Sequence, residues 1–172
     1  MADSKKDSFA NFAIITVTES AANTLTFKKL ETGISITEKV AWIINRIEFM
    51  VEELNSTIFN GTGDFVLFGL SVANSFSNVA VSEVSIIDYN RVSRIDIGAA
   101  ASGFFKYEPY VKDYSAMPSG GILVPPTPLY LYAQGESLTA ATRVTARLYY
   151  TTLNLSVDQY WELVEARRGL SS

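Results

Sequence analysis

Residues 143 to 155, RVTARLYYTTLNL, restrict the fold more than any other stretch. Val144, Ala146, Leu148 and Tyr150 alternate with Arg143, Thr145, Arg147 and Tyr149. A two-residue period places the first set on one face and the second on the other, the signature of a strand with one face buried and one in water. A helix would scatter both sets around its axis. The neighbouring sequence must therefore supply a sheet.

Other segments meet that demand. NFAIITVTES places Ala13, Ile15 and Val17 opposite Phe12, Ile14 and Thr16, and LYLYAQ sets Leu129 and Leu131 against Tyr130 and Tyr132. EKVAWIINRIEFMVEEL, residues 38 to 54, also fits a helical wheel. A strand is the expected form because Val40, Ile43, Ile44, Ile47 and Val51 are β-branched and the wheel strands Trp42 and Phe49 in its polar sector. Residues 79 to 97 fit short strands or a helical turn equally and are left open. Gly103, Pro109, Pro118, Gly120, Gly121, Pro125, Pro126 and Pro128 break the chain too often for long helices there.

These segments amount to about eight strands with no regular alternation of strand and helix, so the expected fold is all-β, an antiparallel eight-stranded jelly-roll sandwich. Residues 1 to 8, polar and mixed in charge, are read as a flexible arm, residues 9 to 155 as the sandwich, and residues 156 to 172 as a capped helix and tail. Ser156 stands three residues before Gln159, the spacing of a capping box. Asp158 lies in the first turn, Arg167 and Arg168 lie in the last, and Gly169 follows, which predicts a helix over 157 to 168.

Composition then narrows the chemistry. The chain of 172 residues has no His and no Cys, so a Ser-His-Asp triad, an imidazole base and thiolate or imidazole metal sites cannot be built within it. We expect no enzyme and no cofactor. A formal net charge of −4 gives the whole molecule no electrostatic reason to coat nucleic acid. Any such contact would be local: Lys5 and Lys6 of the arm and Arg143 and Arg147 on the polar face of one strand are the candidates, with ordinary solubility as the competing explanation. Glu48, Glu52, Glu53 and Asp64 lack calcium-loop spacing and read as a solvated acidic rim. The N-terminus has no apolar core after its lysines and no stretch reaches the ~18 apolar residues of a membrane span, so a soluble, non-secreted protein without membrane partners is expected.

The predicted helix is only about three turns long and must dock on something. Its aromatic and apolar residues Tyr160, Trp161, Leu163 and Val164, with Tyr149 on the last strand, are the candidate subunit interface, either against the sandwich itself or against another copy. Mean hydropathy of +0.14 with 12% aromatic residues favours contacts that absorb apolar surface.

The polar arm, the run of antiparallel strands, the broken stretch PSGGILVPPTPLYLYAQGES and the long final strand TRVTARLYYTTLNLS together resemble the viral single jelly-roll coat proteins over residues 9 to 155. The resemblance lies in architecture and proportions. It implies a homo-oligomer of many copies closing a capsid shell in a virion, with loops and termini in the contacts, no catalytic residues, and a possible enclosed nucleic acid. One departure is the arm, where Asp3 and Asp7 balance Lys5 and Lys6. The alternative is a lectin-like sandwich or phage tail or fibre component whose Tyr107, Tyr110 and Tyr114 stack on sugars.

Overall fold

Residues 40 to 52, VAWIINRIEFMVE, form one uninterrupted strand in the computed structural model, and its burial alternates strongly enough to explain why the helical alternative loses. Ile47, Phe49 and Val51 are buried, whereas Arg46, Glu48, Met50 and Glu52 face outward. The structure describes residues 11–31, 39–52, 58–59, 61, 63–76, 79–80, 82–93, 95–96, 103–104, 109–124 and 127–168. In chain order its elements are β1 (Asn11–Thr18), β2 (Thr26–Leu30), β3 (Val40–Glu52), β4 (Phe65–Ser71), β5 (Ile86–Ser93), β6 (Ile95–Asp96), β7 (Gly103–Phe104), β8 (Tyr110–Asp113), β9 (Ile122–Val124), β10 (Leu129–Glu136), β11 (Arg143–Asn154) and α1 (Val157–Arg168).

Two antiparallel sheets form an all-β sandwich. One has the order β1-β11-β3-β8, with β9 also on β3, and the other the order β2-β10-β4-β5. The chain shuttles between them, so among the described residues β4 and β5 are the only sequence neighbours that pair within either sheet. β8 and β9 lie along the same edge of β3, opposite Arg46 to Phe49 and Trp42 to Ile44 respectively. Asn45 marks the gap between them. It is the extra residue where the β3–β11 register shifts, its carbonyl accepts from Tyr114 N at 2.7 Å, and its side-chain amide donates to Gly120 O. About eight strands are expected, and the two sheet orders contain eight among the described residues, including β5 from the segment left open. The ninth paired segment comes from this interruption, and β6–β7 is a separate two-residue ladder.

The core fills the space between the sheets. Ile15 and Val17 of β1, Val144, Ala146 and Leu148 of β11, and Phe49 of β3 face Val66, Phe68 and Leu70 of β4 and Leu129, Leu131 and Ala133 of β10. Phe49 and Phe68 meet with ring centroids 5.4 Å apart, and Tyr110 closes on Phe68 at 5.7 Å. Trp42 stacks on Tyr150 at 3.7 Å with an interplanar angle of 11°, which fixes the far end of the long strands.

The open segment 79 to 97 contains β5, a strand in which Asp88 and Asn90 join Val92 at the buried, inward positions. Asp88 and Asn90 pair with Leu70 and Phe68 and share their inward face, both buried, and Asn90 Nδ2 donates to Asp88 Oδ2 at 3.1 Å. Lys112 Nζ lies 3.9 Å from Asp88 Oδ1. Sandwich edges tolerate such polar groups because their partners arrive from the opposite sheet.

Burial, aided at Tyr114 and Tyr132 by the nearby Asp88 carboxylate, raises the phenol pKa of Tyr114, Tyr132 and Tyr150 above the ordinary value near 10. Above pH ~10 the folded protein holds phenolic protons that the unfolded chain releases, so their contribution is complete below that pH and is lost as pH rises. Ultraviolet titration should show Tyr114 and Tyr132 of the nine tyrosines ionising only with alkaline unfolding, and Tyr150 ionising above the ordinary range. Ionisation of all nine near pH 10 with the fold intact would contradict the packing.

Candidate assembly surface

Register builds the outer face of the β1-β11-β3-β8 sheet row by row. Phe12, Tyr149, Arg46 and Asp113 stand side by side; Ile14, Arg147, Glu48 and Val111 form the next row; Thr16, Thr145 and Met50 the third; Thr18, Arg143 and Glu52 the fourth. The alternation that buries Ile15, Ile47, Phe49 and Leu148 on one side presents these residues on the other.

The face combines neutralised charge with exposed apolar groups. Arg46 bridges Glu48 at 2.7 Å and lies 5.7 Å from the Tyr149 ring centroid, while Tyr149 Oη donates to Glu48 Oε2 at 3.1 Å. Arg143 reaches Glu52 at 3.4 Å, Thr145 Oγ1 donates to Glu52 Oε1 at 2.6 Å, and Thr16 Oγ1 lies 2.8 Å from Thr145 Oγ1. Arg147 lies 5.8 Å from the Phe12 ring centroid. Ser115 holds the Asp113 carboxyl below its ordinary pKa by hydrogen bonding, so it stays charged. Between these charges Phe12 is 63% exposed, Ile14 51%, Val111 49% and Met50 45%, unusual values for large apolar side chains on one face. A hollow of about 230 Å³ lies among Glu48, Met50, Pro109, Thr145 and Arg147.

The tail helix is capped as its spacing predicts. Gln159 N donates to Ser156 Oγ at 3.3 Å and Ser156 N donates to Gln159 Oε1 at 3.1 Å. Loss of the Ser156 hydroxyl in Ser156→Ala should cost about 1 kcal/mol, read as a lower denaturation midpoint; an unchanged midpoint would show that the cap is idle.

Tyr160 and Val164 are one turn apart and buried within the chain, so of the candidate interface residues these two anchor the helix to its own sandwich. Trp161, at 51% exposure, is the aromatic residue left outward, its ring edge-on to Tyr160 at 5.6 Å. Leu163 is half-buried and lines a groove of about 380 Å³ with Leu123, Leu153, Leu155, Gln159 and Glu162. Tyr149 lies at the other site, on the sheet face.

Of the candidate nucleic-acid residues, Lys5 and Lys6 lie outside the described residues. Arg143 and Arg147 do share one face, but the basic patch becomes a balanced one: Arg46, Arg143 and Arg147 stand against Glu48, Glu52 and Asp113. Of the acidic candidates, Glu48 and Glu52 belong to this face, Asp64 is buried and accepts from Gly61 N at 2.8 Å, and Glu53 lies outside the described residues. Tyr110 and Tyr114 pack against the core, and Tyr107 lies outside the described residues. Sequence reading missed Phe12, Ile14, Met50 and Val111 as a group. Each is an ordinary outward residue on its own strand, and only cross-strand register brings them together. No helix among the described residues is long and apolar enough to cross a membrane.

No protein-family model matches this chain, and a search of curated proteins returns no match.

Proposed function

We propose that this chain is a structural subunit that self-assembles, the coat protein of a virion whose icosahedral-type shell is built from single jelly rolls. The observation that carries the reading is the strand order. Setting aside the separate β6–β7 ladder and taking β8 with β9 as one interrupted edge strand, the chain contributes its first, eighth, third and sixth strands to one sheet and its second, seventh, fourth and fifth to the other. That order supports a jelly-roll reading, in which the strands interleave as two Greek keys. Fold alone does not assign function, and the site must support it. The support is the set of exposed apolar residues on the outer sheet face, together with outward Trp161 on a helix anchored from within.

Many copies of the chain are then the principal partner. An enclosed nucleic acid would have to be held elsewhere than at Arg143 and Arg147, whose face is balanced by carboxylates. Negative-stain imaging of the purified full chain tests the shell. Closed particles of uniform diameter are expected; a field of small unassembled molecules at every concentration and salt would refute it.

A further inference from the structure

We infer that the outer face of the β1-β11-β3-β8 sheet is self-complementary, and that two copies pack these faces together about a two-fold axis running along the strands between β11 and β3. The inference deepens the self-association reading and rests on it for the second copy.

The columns carry the argument. β11 presents Arg147 and Arg143, and the adjacent β3 presents Glu48 and Glu52 in the same two rows. Rotation by 180° about an axis between these strands lays each copy's β11 over the other's β3, so arginine meets glutamate at both rows. The same rotation carries β1 over β8 and sets Ile14 of one copy opposite Val111 of the other, which occupy one row. Tyr149 falls opposite Arg46, an aromatic against a cation. A rotation about the perpendicular in-plane axis would instead stack arginine column on arginine column, so the charges select one arrangement. An isologous contact of this kind needs each patch to complement itself. Aligned sheets packed ~10 Å apart allow it.

Charge also selects the occupant. The three arginines and three carboxylates cancel on this face in a chain whose net charge is −4, so copies that repel as wholes can approach here. A nucleic-acid backbone would meet Glu48 and Glu52 as readily as the arginines. A second copy satisfies both signs at the two arginine–glutamate rows, with Asp113 falling opposite Phe12 at the rim.

Two variants test the contact, Arg147→Glu and Glu48→Arg, each measured by sedimentation velocity alone and mixed in equal amounts, with circular dichroism confirming the fold. Each alone places like charges opposite one another, and its dimer Kd should rise at least about tenfold. Mixed, Arg147→Glu faces Glu48→Arg at one position and native Glu48 faces native Arg147 at the other. Association should return to near the native Kd. Repulsion confined within each subunit would not be relieved by mixing, so absence of recovery overturns the inference. If folding fails, Arg143→Glu mixed with Glu52→Arg repeats the test one edge away. Native assembly undiminished by either variant would remove this face while leaving self-association intact; a native chain that is monomeric throughout would remove both.

Discussion

Gly69→Ala should lower the melting temperature by about 6–12 °C, the shift that a loss of about 3 kcal/mol produces in a domain of this size. Gly69 lies in β4 between the core residues Phe68 and Leu70, on the outward side, opposite Tyr132 on one neighbour and Tyr89 on the other. A Cβ there would stand 1.8 Å from the Asp88 carbonyl oxygen and 2.7 Å from Tyr132 Oη. The first obstacle is backbone and cannot rotate away. β5 must retreat by more than an ångström, at the point where the β4–β5 register already shifts between Leu70 and Ser71. The move would also break the 3.0 Å bond from Tyr132 Oη to Asp88 O, leaving a fully buried hydroxyl unpaired. Overpacking alone costs about 1–3 kcal/mol, and the lost bond adds about 1–3. An unchanged thermal melt would show that β5 does not pass this close.

Glu19→Ala should be of similar size, also about 3 kcal/mol, by a different physical route. Glu19 follows β1 and is buried, where its carboxylate gathers three segments of chain. Oε1 accepts from Thr24 N at 3.1 Å and Gly135 N at 2.7 Å; Oε2 accepts from Thr142 N at 2.8 Å and Thr142 Oγ1 at 2.9 Å. Nearby, Asn23 both donates to Leu138 O at 3.0 Å and accepts from Leu138 N at 2.7 Å, so the β1–β2 and β10–β11 connections are tied twice. Removing the carboxylate leaves the three backbone donors without an acceptor. Glu19→Gln separates charge from geometry: its one oxygen can serve two donors, but its amide turns N–H toward the other two. We therefore expect at least half of the alanine loss in urea denaturation. A glutamine variant as stable as the native protein would show that one oxygen suffices.

Much of this architecture was legible because local and tertiary demands agree. In β11 every second residue from Val144 is inward, and in β3 the β-branched residues and Trp42 suit a pleated surface better than a helix. The tail helix could be read from the Ser156–Gln159 spacing because a capping box is satisfied within four residues. β5 was illegible for the opposite reason. Asp88 and Asn90 occupy core-facing positions, which cancels the hydrophobic alternation, and besides their mutual hydrogen bond the Asp88 carboxylate finds its partners on Lys112 and Tyr114, more than twenty residues away in sequence. The candidate assembly surface was only half legible. Arg143 and Arg147 could be placed on one strand face, yet the glutamates that neutralise them lie on β3, nearly a hundred residues earlier. Tyr160 and Trp161 are chemically similar, and only packing decides that the first turns inward and the second outward.

Sedimentation velocity of the intact native chain, over a range of concentration and salt, tests self-association most directly. The account predicts discrete multimers that grow at the expense of monomer as concentration rises, and that weaken with salt because arginine–glutamate contacts across the sheet faces are screened over about 8–10 Å. A single monomeric species at every concentration and ionic strength would contradict it, and would turn the search toward a ligand for an isolated sandwich.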